Sequence, residues 1–283
     1  MNYLLNGLFH GCVLMEKKND AEIFLEYVPD YTIWYKIILI YLYHFIIFIL
    51  VIAFFWWVSS NYFIGILLIQ FLISCGANIP FIYMYKNIDK IQDKYRRKNE
   101  KNPWQRFFYR YSYTSSLGCA ALYSPLLLIT YKQPSFQIIN IPPRIITTSL
   151  LPIYITIPLA LILIIFGVLL SKASQGYDGD MHSYLYVMCP NRIKIFREGI
   201  FQYIRHPRFL CRFITALGIG IIANNLFAIG VVLITFIPYF MWMKVLDKGL
   251  KSYEIDIEVY QHKVPALIPR YSNWNYFFRL IFK

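Results

Sequence analysis

Charge is scarce in this chain, and acid is scarcer than base. Only 15% of its 283 residues are charged, where a soluble globular domain carries about 25%. The 28 Lys and Arg stand against 15 Asp and Glu. The five cysteines, Cys12, Cys75, Cys119, Cys189 and Cys211, are scattered and odd in number, with no Cys-x-x-Cys pair. That pattern implies neither a disulfide framework nor a zinc site, and no metal is expected. Residues 1–15 lack an early basic region and run into Glu16-Lys17-Lys18, so no signal peptide is expected there. The loop 175–190 has Asp178 and Asp180 but lacks the twelve-residue calcium pattern and its closing glutamate; it reads as a polar turn.

What is abundant is apolar. Hydrophobic residues make up 58% of the chain, with 25 Tyr and 23 Phe, and the mean hydropathy is +0.47. The apolar residues cluster into runs near the roughly 20 residues a helix needs to cross a bilayer. The fold class expected is all-α: a multi-pass transmembrane helical bundle of about six apolar segments ending in a helical hairpin. The segments are 37–58, 62–85, 117–131 (with Pro125), 145–170 (with Pro152 and Pro158), 209–222 and 226–243. The last two turn at Asn224-Asn225, and the fifth is too short to stand alone, so it is expected only as half of that hairpin.

The net charge of +13 does not point to nucleic acid. The basic residues lie between apolar runs, at 86–110, 192–212 and 244–263, where they set topology and meet anionic lipid headgroups. Six spans place all three basic stretches on one side. His44 is the main ionisable residue inside an apolar run, and a capped or interfacial role is expected for it.

Chemistry is concentrated at 199–207, Gly-Ile-Phe-Gln-Tyr-Ile-Arg-His-Pro, and at the later run Val264-Pro265-Ala266-Leu267-Ile268-Pro269. The six-span topology puts both on one face, where they can meet. Pro207 suits the first turn of a helix, where its missing N–H is not needed. The helix N-terminus favours an anionic group, Arg205 is a planar cation suited to carboxylate or phosphate, and His206 donates, accepts and titrates near neutrality. The residues alone leave another reading open, with Arg205, Arg208 and Arg212 as interfacial anchors and His206 capping the loop.

These residues resemble the membrane-embedded methyltransferases that include isoprenylcysteine carboxyl methyltransferase and the phospholipid N-methyltransferases. Gly199, Phe201, Arg205, His206 and Pro207 match the family stretch in register. Gly218 in the hairpin, Tyr260 and the Val-Pro…Ile-Pro ending follow in order. The resemblance covers 167–270. It divides the chain into N-terminal spans with a basic loop (1–166), a methyltransferase-like domain (167–270) and a tail (271–283). It implies S-adenosylmethionine as cofactor, Arg205 and His206 as catalytic residues, and Arg205, His206, Pro207, Phe209, Cys211 and Asp247 around the cofactor. The chain departs from the family at five places, one of them Ile257, where the family has the next spaced tyrosine. Phe209 replaces a tyrosine, Cys211 replaces a glycine and would crowd a cofactor approaching the backbone, and the acidic pair falls at Leu246-Asp247 with one carboxylate. The Phe-Gly pair is Tyr253-Glu254. Glu254 and Glu258 are candidate substitutes for the missing acid.

Two functions follow. One is a methyltransferase acting on a membrane lipid or a prenylated cysteine, in which His206 takes the proton from an amine acceptor. The other is a degenerate member serving as an accessory or structural subunit of a larger membrane complex, with 1–35 and 86–110 as partner contacts. A sterol-type reductase and a channel rank behind both. The membrane is left open between endoplasmic reticulum and mitochondrial inner membrane.

Overall fold

Apolar runs in lipid must satisfy every backbone N–H and C=O internally, and helices do so within one segment. The computed structural model describes residues 20–61, 63–96, 102–124, 151–174, 179–188, 197–224, 226–250 and 257–282. In chain order its helices are α1 (Asp20–Tyr27), a 3₁₀ turn (Pro29–Thr32), α2 (Trp34–Asn61), α3 (Phe63–Lys86), α4 (Ile88–Arg96), α5 (Pro103–Tyr111) and α6 (Tyr113–Tyr123). They continue with α7 (Ile153–Ala173), α8 (Gly179–Met188), a 3₁₀ turn (Gly199–Gln202), α9 (Pro207–Ile222), α10 (Leu226–Leu250) and α11 (Ile257–Lys263). A 3₁₀ turn (Tyr271–Asn273) and α12 (Trp274–Ile281) close the list. No strand occurs among the described residues, and the fold is an all-α bundle.

Four helices are long and apolar enough to cross a membrane, at Trp34–Trp57, Ile66–Lys86, Ile153–Ala173 and Leu226–Gly249. The protein is an integral membrane protein. Two of the six expected segments are shorter. α9 has 16 residues and is seated as half of the hairpin. The third segment gives α6, whose expected continuation beyond Ser124 lies outside the described residues, as do 1–19 and the N-terminal reading made on them. On α2, Trp34 and Tyr35 at one end and Trp56 and Trp57 at the other are exposed, the placement of interfacial aromatics.

The hairpin is held by different chemistry on its two sides. α9 lies against α7 through small residues. A Cβ on Gly167 would stand 3.1 Å from the Cys211 carbonyl, and one on Gly218 would stand 2.9 Å from the Ala160 carbonyl. Such close backbone approach is how membrane helices gain dispersion contact without a hydrophobic driving force. α10 lies against α3 through buried polar residues. Gln70 donates to Thr235 Oγ1 at 2.5 Å and to the Ala121 carbonyl at 2.7 Å, and accepts from Ser124 at 2.7 Å. The Ser74 hydroxyl donates to the Thr235 carbonyl, beside the carbonyl of Ile234 that Pro238 leaves without its helical donor. At the turn, Asn224 takes φ 52°, and its carboxamide grips the backbone N and O of Leu151 at 3.1 and 2.8 Å. His44 of α2 is capped by the Ser116 hydroxyl of α6 at 2.7 Å.

Two stretches differ from the sequence reading. Within 86–110 the chain is not merely a basic loop: it forms α4 and α5, which turn Ile88, Ile91, Tyr95, Trp104, Phe107 and Phe108 inward and their charges outward. The polar turn at 175–190 contains α8, because the run from Tyr184 to Met188 is wholly buried. Together with Phe24 and Val28 of the N-terminal segment, these helices build an aromatic cap over the C-terminal ends of α3 and α10. Asp30 fastens that segment, accepting from Lys36, Gln105 and Tyr109, the last at 2.7 Å. Burial pushes the Asp30 carboxyl up, but the hydrogen bonds from Lys36 and Tyr109 and the lysine charge outweigh it and hold it below the usual carboxylate range.

Candidate functional site

The site forms where the start of α9 meets the end of α10 and the run after α11. Gly199 supplies a positive φ of 58°, a conformation that favours glycine, and the 3₁₀ turn that follows buries Ile200 and Phe201. Pro207 opens α9 as its first residue, with His206 at the N-cap, the place where a proline costs no hydrogen bond. His206 and Pro207 are buried and Arg205 is partly buried.

The backbone of this corner is tied to residues far along the chain. Arg205 N–H donates to the Pro265 carbonyl at 2.9 Å and His206 N–H to the Ala266 carbonyl at 3.0 Å. Arg205 Nε donates to the Val264 carbonyl at 2.9 Å. The two stretches singled out in the sequence therefore meet. Tyr260 adds a further tie, its hydroxyl donating to the Phe201 carbonyl at 2.7 Å beneath the Arg197 guanidinium at 5.6 Å. Burial pushes that phenol up to about 12, so it stays a donor at neutral pH.

Asp247 is the centre of the arrangement. Its Oδ1 lies 2.7 Å from an Arg205 terminal nitrogen and 2.9 Å from His206 Nε2. A carboxylate held beside an arginine only accepts, so His206 Nε2 carries the hydrogen of this contact. Both donors use the same oxygen, and no described side chain donates to Oδ2. Gln261 steadies the backbone below, donating to the Asp247 carbonyl at 2.8 Å. The Arg205–Asp247 pair supplies one cation and one anion, suited to a ligand that carries both signs.

The structure brings Arg205, His206 and Asp247 together and sets Phe209 beside them, its ring 5.6 Å from His206 and 5.1 Å from Trp242. It does not bring Cys211 there. Two residues beyond Phe209, Cys211 points to the other side of α9, where its thiol donates to the Arg208 carbonyl at 3.3 Å in a cluster with Leu170, Ile204 and Phe277. The expected crowding at Cys211 falls on the α7 side and not beside Asp247. Glu258 lies exposed on α11, and Glu254 lies outside the described residues. Sequence reasoning missed Gln261 and the acceptor role of the 264–266 carbonyls, which no side-chain pattern could signal. It also missed Trp242, five residues before Asp247, whose buried indole N–H has no partner among the described residues.

A family model described as phospholipid methyltransferase matches residues 155–250. The match runs from the start of α7 to the end of α10 and contains Arg205, His206 and Asp247. The supporting carbonyls at 264–266 fall outside it. No curated protein and no solved structure matches the chain. Over residues 155–250, about a third of its length, this integral membrane protein is similar to the phospholipid methyltransferases.

Proposed function

We propose that the chain is an S-adenosylmethionine-dependent methyltransferase acting on a membrane lipid, with 167–270 as the working unit. The observation that carries this reading is the joint pairing of Arg205 and His206 with Asp247 at the mouth of the α9–α10 hairpin. S-Adenosylmethionine has an amino acid end with one amine and one carboxylate. The residues fit it: Asp247 Oδ2 takes the amine, and the guanidinium of Arg205 and the α9 N-terminus favour the carboxylate. When bound, the cofactor supplies an electrophilic methyl group.

What remains for the protein is alignment and exclusion of water. Phe209 and Trp242 wall the apolar side, and Pro265 and Ala266 fix the loop opposite. For an amine acceptor, His206 Nδ1 takes the proton, since Nε2 is committed to Asp247. A carboxylate acceptor, such as a prenylated cysteine, needs no base.

A second reading keeps the fold without the chemistry, as an accessory subunit of a membrane complex. It is favoured by Phe209, which stands in place of the family tyrosine and packs as a plain aromatic against Tyr239 and Trp242. Calorimetry with S-adenosylhomocysteine on the detergent-purified protein separates the two. Micromolar binding that is lost in the Arg205→Ala, His206→Ala double variant supports the enzyme. Absence of binding in a folded sample overturns it and leaves the accessory role.

A further inference from the structure

α12 lies outside the 155–250 match, and the proposed chemistry gives it no part. It nevertheless clamps both halves of the corner at Arg205 and His206. Its inner face buries Phe277 and Ile281 in one cluster with Leu170, Ile200, Phe201 and Ile204, so it grips the chain that leads into Arg205. At its start, the Trp274 indole N–H donates to the Pro269 carbonyl at 3.0 Å. The guanidinium of Arg270 donates to the His262 carbonyl at 2.9 Å. These two bonds bracket the 264–269 run, whose Pro265 and Ala266 carbonyls accept from the backbone of Arg205 and His206.

The outer surface of α12 is sorted by chemistry. Trp274, Phe278 and Phe282 stand four residues apart and form one row, with successive ring centroids 6.1 and 6.4 Å apart. Asn275 and Arg279 form the next row and are exposed. The protein does not cover the aromatic row: Phe282 is 66% exposed. The row runs on into α7, where Phe166 lies 5.9 Å from Phe278 and 6.4 Å from Phe282. Phe166 is seven residues before the end of α7, about 10 Å down the span. Beside it, Ile162, Ile165 and Val168 are exposed on a helix long and apolar enough to cross the membrane. After Glu258 the sequence carries Lys263, Arg270, Arg279 and Lys283 and no acid. An aromatic row on one side and cations on the other is the pattern of a helix lying in the headgroup layer.

We propose that α12 is an interfacial anchor: the bilayer leaflet beside the basic stretches takes its aromatic row, and this seating holds the 264–269 run against Arg205 and His206. Trp274 is the positioning residue at the join. Two observations select lipid over a protein partner. The aromatic row is continuous with the lipid-facing surface of α7, and a stretch with cations and no acid matches anionic headgroups. The corner is then set by where α12 sits in the membrane as well as by the protein's own contacts. The anchor does not rest on the methyltransferase reading; only its consequence for S-adenosylmethionine does.

The test uses the full chain in nanodiscs of phosphatidylcholine and phosphatidylglycerol. Asn275→Cys and Phe282→Cys are each offered a water-soluble maleimide, and the labelled peptide is read by mass spectrometry. The proposal expects Asn275→Cys to react and Phe282→Cys to resist, by about tenfold in rate. Equal reactivity overturns it, and a Phe282→Cys that forms a disulfide with a second copy overturns lipid as the occupant. Hydrogen exchange at the amides of Arg205 and His206 then reads the coupling without any bound ligand. Trp274→Phe removes the indole donor and keeps a ring; Phe282→Ser shortens the aromatic row and leaves Phe277 and Ile281 in place. Each is expected to speed this exchange by about tenfold, with α3 and α10 protected as in the native chain. Unchanged exchange at Arg205 and His206, or acceleration spread equally over α3 and α10, overturns the positioning role. S-Adenosylhomocysteine affinity is measured on the same samples. No binding by the native chain overturns the enzyme reading and leaves the anchor, whereas binding unchanged in both variants overturns the coupling.

Discussion

Changing Asp247 to Asn removes one charge and keeps the shape. In the native protein Asp247 holds Arg205 and His206 on one oxygen, and the three side chains are 21%, 14% and 6% exposed. Hydrogen bonds to charged groups are worth about 1.5–3 kcal/mol each, and a neutral amide acceptor retains about 1 kcal/mol of one of them. The expected loss is about 3 kcal/mol, in line with breaking a largely buried pair. For a domain of this size that lowers the melting temperature by roughly 6–12 °C. The assay is thermal unfolding in detergent of Asp247→Asn, Arg205→Gln and the double variant. Because both residues share one bond, the double variant is expected to be about 1.5–2 kcal/mol more stable than the sum of the single losses predicts. Additivity within about 0.5 kcal/mol would refute the pairing as an energetic unit.

Three further outcomes are expected. Gly218→Ala places a methyl 2.9 Å from the Ala160 carbonyl and forces α7 and α9 apart, costing about 1–3 kcal/mol; Gly230→Ala, which meets nothing within 4 Å, is the control, and equal melting temperatures would remove the close-packing argument. Since the Asp30 carboxyl titrates below its unfolded value in the folded chain, its stabilisation is present above about pH 4 and is lost as pH falls through the folded value. Protease cleavage near residues 20–33 should rise on acidification in the native protein and already be high at neutral pH in Asp30→Asn; a cleavage pattern identical in the two proteins at every pH would refute the fastening. Gln70→Leu leaves Ser124 and Thr235 without their shared partner, and hydrogen exchange at the α3–α10 contact should accelerate at a cost of about 1–2 kcal/mol; unchanged exchange would mean that the network contributes nothing to that contact.

Much of the fold was legible because lipid imposes a simple rule on sequence. Runs such as 37–58 are apolar on every side and can only be spans, and Pro207 announces the start of α9 by its chemistry. The cap was not legible. In α4 the charges of Asp89, Lys90, Asp93 and Lys94 dominate the composition, and a loop is the obvious reading until Ile88, Ile91 and Tyr95 are seen to share one buried face. α8 was hidden for the opposite reason: its run from Tyr184 to Met188 is buried consecutively, leaving no periodicity to detect. In the site, Arg205 and His206 were visible as a motif, and Asp247 was visible only as the survivor of an acidic pair. Their convergence on one oxygen depends on the register of the hairpin over 41 residues, which local pattern does not encode. The direction of Cys211 is likewise a matter of helix phase once α9 has docked on α7.

The pairing of Arg205 and His206 with Pro265 and Ala266 also sets a schedule for biogenesis. Arg205 and the carbonyl that accepts its side chain are 59 residues apart. At about 5–20 residues per second of synthesis, the ribosome takes several seconds to deliver the second half. During that interval the hairpin is made but its corner is open, with Arg205 Nε and two backbone donors still without their acceptors. Nascent chains halted before residue 266 should therefore be recognised by quality control as incomplete, although all four helices long and apolar enough to cross a membrane have by then been synthesised.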